Sequence, residues 1–158
     1  VKVDDELHIF DEILMVNATT WDMADEINHR FGLTRKKDIC PDPTGAARKT
    51  AGVGLTDHAI LRKSGIKVST PKSPWKIRDK VNCVNTAILD GTGTRRLKIH
   101  PKCRETIKSL RTLVYDDNGL PNKKLGVDHM FDALGYLCLM KFNLNSYGKL
   151  GTTQYRVW

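Results

Sequence analysis

Val127-Asp128-His129-Met130-Phe131-Asp132-Ala133-Leu134-Gly135-Tyr136 opens the most apolar segment of the chain, which continues through Leu137, Leu139 and Met140 to about Phe142. Apolar residues fall on nearly every side of a 3.6-residue repeat, so the segment reads as a helix packed deep in the protein. Asp132 lies inside it, where an unpaired carboxylate carries a desolvation penalty of several kcal/mol and therefore asks for a cation or donors. One turn earlier, at i−4 and i−3, stand Asp128 and His129, and side chains at those separations share a helix face about 5–6 Å apart. Asp128, His129 and Asp132 can thus converge on one ion; Asp128 serves equally well as a helix N-cap and His129 as a surface residue.

Upstream of this helix, strand and helix signals alternate. Leu7 to Val16 is thick with apolar and β-branched residues, interrupted only by Asp11 and Glu12, and reads as a strand. Thr19 with Asp22 three residues later begins an amphipathic helix that ends at Gly32. Asp38 to Asp42 is a short strand stopped by Pro41 and Pro43, which puts Asp42 at its C-terminal tip, the place where α/β proteins keep their sites; alone, such an aspartate is more often a turn residue. Thr56 caps a helix that returns through Gly65 into the strand Ile66 to Ser69. Ile77, Val81, Val84 and Ile88 recur at helical spacing up to Gly91. Leu97 to His100 is a strand, with Pro101 suited to the first helical position and Cys103, Ile107, Leu110 and Val114 forming the buried stripe of the next helix. This alternation predicts an α/β sheet with helices on its faces, over a domain spanning residues 1–142 with a C-terminal tail at 143–158.

The 158 residues suffice for one domain, and the net charge of +8 is unevenly spread. Residues 1–42 hold ten acidic and five basic side chains, net −5, whereas residues 43–127 hold eighteen basic and six acidic, net +12. A basic middle flanked by isolated carboxylates suits a polyanion held near a metal site, and equally a solvated basic surface. Lys72, Lys76, Arg78 and Lys80, around the Pro71–Pro74 loop and the start of the next helix, are the candidate phosphate contacts. Asp42 and Asp132, from different elements, are the candidate catalytic pair. Carboxylates so placed hold hard divalent ions, Mg2+ or Mn2+, and two such ions clamp the attacking and leaving oxygens of a phosphodiester hydrolysis.

Other chemistries lack their residues. Gly45-Ala46-Ala47-Arg48-Lys49-Thr50 misses the glycine before the lysine that a phosphate loop needs. Neither a GxSxG elbow nor a cysteine–histidine signature occurs, and Cys40, Cys83, Cys103 and Cys138 stand too far apart for a zinc finger, as expected of reduced thiols in a cytoplasmic protein. No stretch approaches the about 20 apolar residues that span a bilayer, nor does a signal peptide appear. The chain opens on Val1 within strand-like sequence, as expected of part of a longer polypeptide.

Four stretches, in order and spacing, resemble the C-terminal nuclease domain of the large terminase subunit of tailed double-stranded DNA bacteriophages, from about Leu7 to Phe142. They are Leu7-His8-Ile9-Phe10-Asp11-Glu12-Ile13, Asp42-Pro43-Thr44-Gly45, the helix–Gly65–strand unit, and Val127 to Tyr136. The resemblance implies a ribonuclease H-like mixed sheet flanked by helices, with Asp42 and Asp132 matching the second and third catalytic acids and His129 as a possible metal ligand. The family's first strand, with its aspartate, would precede Leu7, so the fold is expected to lack its first strand or strands. The implied activity is two-metal cleavage of concatemeric duplex DNA with Mg2+ or Mn2+. The implied partners are double-stranded DNA, an N-terminal ATPase domain, the small terminase subunit and the portal, in the host cytoplasm and with no membrane. A non-catalytic DNA-binding or motor-docking fragment, or another ribonuclease H-like enzyme such as a junction resolvase, would share parts of this pattern.

Overall fold

Helix α1 (Thr20–Phe31) starts where Thr19 and Asp22 cap each other: the Asp22 amide donates to the Thr19 hydroxyl (3.2 Å) and the Thr19 amide to the Asp22 carboxylate (2.7 Å). The computed structural model describes residues 1–32, 37–47, 54–71, 75–122 and 126–142; Lys72 and the 143–158 tail lie outside the described residues. Helix α2 (Asp57–Lys63) is capped by Thr56, whose hydroxyl accepts from the Ala59 amide at 3.1 Å. Gly65, at φ 75°, then lets the Ile66 amide reach back to the Leu61 carbonyl and sends the chain into β4 (Lys67–Val68). β4 runs parallel to β3 (Asp38–Ile39), and Ala24, Leu61 and Ile66 close a small core with Ile27, Ile39 and Val68.

The second set of elements begins with a hairpin. β1 (Lys2–Val3) pairs antiparallel with β2 (Glu6–Ile9), and β2 pairs parallel with β5 (Leu97–Ile99). Three helices accompany this sheet, α3 (Ile77–Ile88), α4 (Arg104–Thr112) and α5 (Asp128–Phe142), with α3 and α4 each packed against α5. Their shared core joins Leu7 of β2 to Val81, Cys83, Val84 and Ala87 of α3 and to Phe131, Leu134, Cys138, Leu139 and Phe142 of α5. Arg96 ties the turn before β5 to the hairpin, donating to both Asp90 and Asp5 at 2.6 Å. The protein is therefore α/β, with five α-helices and a small mixed sheet among the described residues. All four cysteines are free thiols, with Cys83, Cys103 and Cys138 buried. No helix among the described residues is long and apolar enough to cross a membrane.

Several expectations change. The described strands form two sheets, β1-β2-β5 and β3-β4, rather than one. The strand expected over Leu7–Val16 ends at Ile9, because the two acids within it have work elsewhere. The Glu12 carboxylate accepts from the amides of Glu105 (3.0 Å) and Thr106 (2.8 Å) and from the Thr106 hydroxyl (2.8 Å), capping α4 from a distance in sequence. Asp11 faces Arg30 and Lys102. That remote cap also moves the start of α4 from Pro101 to Arg104, since Cys103 at the N-cap position makes no side-chain cap of its own. Val114, expected in the buried stripe, is exposed: α4 has ended at Thr112, and the Val114 carbonyl instead accepts from the Asn122 amide.

The Glu12 carboxyl is held below its ordinary pKa: burial pushes it up, but the amides of Glu105 and Thr106 and the Thr106 hydroxyl pull it down further. A depressed carboxylate contributes stability above its unfolded value, about 4.3, and loses it as pH falls through the lower folded value. Glu12→Ala should cost about 1–2 kcal/mol in urea unfolding at pH 7, as loss of a helix cap does. The difference should shrink toward zero in strong acid.

Candidate functional site

Asp42 lies three residues beyond β3, at the head of a one-turn 3-10 helix (Pro43–Ala46). Pro43 has no amide to satisfy, so the first available donor is Thr44, whose N–H and hydroxyl both meet Asp42 Oδ1 at 2.8 Å. Beneath the turn sits buried His58 of α2, whose Nε2 donates to the Asp42 carbonyl at 2.9 Å. Gly45 makes that approach possible: a Cβ there would stand 3.0 Å from His58 Nε2. The turn is thus fixed by contacts that depend on Asp42, Thr44, Gly45 and His58 together.

Asp132 and Tyr136 come from successive turns of α5 and lie on one side of it. The Tyr136 hydroxyl donates to Asp42 Oδ2 at 3.1 Å, joining residues 94 apart in sequence. Trp75, just before α3, stacks on the Tyr136 ring with centroids 6.2 Å apart and planes 28° apart. Lys80 of α3 completes the arrangement. Its ammonium pairs with Asp132 Oδ1 and lies 4.5 Å from the centroid of the Tyr136 ring, within cation–π range. Its aliphatic stem crosses α5 at Gly135, where a Cβ would fall 2.1 Å from Lys80 Cγ and 2.5 Å from Cδ. Any larger residue at 135 would force the lysine stem or the helix beside it to shift.

The electrostatics follow from this geometry. Burial raises the Asp42 pKa, but donation from Thr44 and Tyr136 and the charge of Lys80 outweigh it, so Asp42 lies below its ordinary value. Tyr136 is pushed up to about 12 by burial, by its hydrogen bond to Asp42, and by the negative charges of Asp42 and Asp132. Asp42 and Asp132 therefore belong to one cluster, linked through Tyr136 and Lys80.

The other sequence candidates are placed differently. Asp128 is buried at the first residue of α5, whereas His129 faces solvent, so the two diverge around the helix. Among the described residues, no three His, Cys, Asp or Glu side chains stand close enough to hold one ion, and the expected convergence of Asp128, His129 and Asp132 is not formed. Lys76 and Arg78 are exposed at the start of α3, and Arg78 also donates to the Asn118 carbonyl at 3.4 Å. Lys80 departs from that basic face: only 5% exposed, it is turned inward to Asp132 and cannot join a surface phosphate-binding face. Sequence reading missed its role, together with those of Tyr136, Thr44, His58 and Gly135. A signal existed for Lys80, since it precedes buried Val84 and Ala87 by four and seven residues, on the apolar side of α3.

The donor chemistry suits a hard divalent cation. Asp42 Oδ1 accepts two hydrogen bonds, while Oδ2 accepts one among the described residues and so has a lone pair to offer; Asp132 already holds a cationic group. Mg2+ characteristically keeps several waters and uses one or two carboxylates together with substrate phosphates.

No protein-family model matches the sequence, and comparison with curated proteins and with solved structures finds none that matches. The site's connectivity can be read directly from its phenol. In an ultraviolet pH titration Tyr136 should ionise near pH 12, and Asp42→Asn should bring it down toward the ordinary value of about 10. Because the folded value is raised, stability should decline as pH climbs from about 10 through the folded value, and less steeply in Asp42→Asn.

Proposed function

We propose that the chain is a metal-dependent endodeoxyribonuclease of ribonuclease H-like architecture, related to the nuclease domain of phage packaging terminases. The observation that carries this reading is the linkage of Asp42 and Asp132, one following a strand tip and the other on the last described helix, through the Tyr136 hydrogen bond and the Lys80 ion pair. Paired carboxylates from separate elements are what hydrolysis of a phosphodiester by an activated water needs. A bound Mg2+ or Mn2+ would supply Lewis-acid polarisation of the phosphate and a more acidic water.

The chain's own residues do the rest. Asp42 and Asp132 would hold the ion, with Asp42 aimed by Thr44 and Tyr136 and its turn fixed by His58. Trp75 and Tyr136 form an aromatic wall beside the carboxylates. Lys76 and Arg78, exposed at the N-terminal end of α3, would meet phosphates of duplex DNA by charge rather than by base identity. In a packaging motor the partners would be an ATPase domain, the small terminase subunit and the portal, in the host cytoplasm.

Supercoiled plasmid should be nicked in Mn2+ or Mg2+ and left intact in EDTA. Asp42→Asn or Asp132→Asn should lower the rate by more than the roughly 10–100-fold that loss of an outer-shell partner costs, with the circular dichroism unchanged. Full cleavage by either variant would defeat the assignment. Neutralising Lys76 and Arg78 together should reduce the log–log salt slope of duplex binding by about 2, uniformly across sequences. An unchanged slope would return those two residues to ordinary surface charge.

A further inference from the structure

We propose that Thr44 sets the metal preference of the site: it leaves Asp42 able to bond a cation through Oδ2 alone, and so favours Mg2+ and Mn2+ over Ca2+. This rests on the metal-dependent reading above and specifies which ions that site accepts.

An ionised carboxylate only accepts hydrogen bonds, and it offers about four lone-pair positions, two on each oxygen. Asp42 Oδ1 accepts from the Thr44 amide and from the Thr44 hydroxyl, each at 2.8 Å, which uses both positions on that oxygen. Because the carboxylate cannot donate in return, the hydroxyl hydrogen is committed to it. Oδ2 accepts from the Tyr136 hydroxyl at 3.1 Å, its one partner among the described residues, and so keeps one position. Both Oδ1 donors come from a single residue of a turn that Pro43 opens and buried His58 underpins, so Oδ1 cannot swing free without loss of the turn. Asp42 and Thr44 are exposed, and a hydrated ion can reach the open position. Asp42 is therefore a one-oxygen ligand whatever ion arrives.

Divalent ions differ in what they ask of such a ligand. Ca2+ gathers about 6–8 oxygens at about 2.3–2.6 Å, and carboxylates that bind through both oxygens help it to reach that number. Mg2+ demands a near-ideal octahedron at about 2.0–2.1 Å and keeps several of its waters, and Mn2+ shares the octahedral habit. One bond from Asp42 costs the octahedral ions nothing, whereas Ca2+ forfeits a ligand that only a weakly held water can replace.

The test is calorimetric titration of the 158-residue chain with Mn2+ and, separately, with Ca2+. Wild type should bind Mn2+ more tightly than Ca2+. Thr44→Val keeps the amide donor and the branched shape but removes the hydroxyl, which frees one position on Oδ1. Its Ca2+ affinity should rise by roughly 10-fold or more, the scale on which the outer partners of a ligand act, with Mn2+ affinity within about twofold of wild type. Thr44→Ala should do the same and decides the matter if the valine disturbs the turn. Thr44→Ser restores the hydroxyl and should restore the wild-type ratio of the two affinities. Tyr136→Phe opens a position on Oδ2 only and should leave that ratio unchanged. Affinities for both ions that fall together in the Thr44 variants, or that do not change, would reduce Thr44 to a support of the turn and overturn the proposal. A ratio that shifts as far in Tyr136→Phe, or a wild type that binds Ca2+ as tightly as Mn2+, would overturn it too, and each of these results leaves the metal-dependent reading standing. No Mn2+ bound by wild type would overturn that reading and the proposal with it.

Discussion

The ion pair between Lys80 and Asp132 is the contact on which the rest of the arrangement depends. Asp132 sits in the most apolar helix of the chain, and its charge is compensated by a lysine from α3 that can reach it only because position 135 lacks a side chain. The same close approach of α3 and α5 brings Val84 and Ala87 against Leu134 and Cys138 in the main core. Removing one partner of a fully buried pair costs about 3–5 kcal/mol. With a quarter of the Asp132 side chain open to solvent, water screens this pair and the cost should fall below that range.

From that pair the site extends across the molecule. One turn beyond Asp132, Tyr136 reaches Asp42, whose turn rests on α2 through His58. Asp42 is thus carried by the elements around the smaller core of Ala24, Leu61 and Ile66, whereas Asp132, Tyr136 and Lys80 belong to the larger one. The two carboxylates are linked across these two sets of elements through Tyr136 and Lys80. Polar groups in such a place reinforce one another when every member is satisfied, and removal of one exposes the others to the low local dielectric. The hydrogen bond between Tyr136 and Asp42 contributes to both shifts, beside the Thr44 donors that lower Asp42 and the burial that raises Tyr136.

Much of the local structure was legible in the sequence because its causes are local. The Thr19–Asp22 capping box, the Thr56 cap and Gly65 mark the ends of α1 and α2 through residues three or four positions apart, and the spacing of apolar residues marks α3 and α5. Glu12 escaped because its partners are the amides of α4, some ninety residues away. Asp42 and Asp132 were legible as carboxylates in unusual settings: one beyond a strand end between prolines, the other in an apolar helix. Lys80 was hidden by its neighbours. Beside Lys72, Lys76 and Arg78 it reads as part of a charged face, although its register with Val84 and Ala87 puts it on the apolar one. Gly135 gives the matching sign, since a glycine within a tightly packed helix often marks a place where another chain segment approaches closely. His129 was misplaced for the opposite reason: helical spacing fixes only its angular position, and the packing around α5 leaves that position in solvent.

The central claim is that Asp42 and Asp132 share one cation site, and the most direct measurement is anomalous diffraction from crystals of the protein soaked in Mn2+. A single anomalous peak bonded to one oxygen of Asp42 and one of Asp132, with the Lys80 ammonium still in its notch at Gly135, is the predicted result. A peak at any other residues, or none while Asp42 and Asp132 keep their bonds to Tyr136 and Lys80, would contradict it.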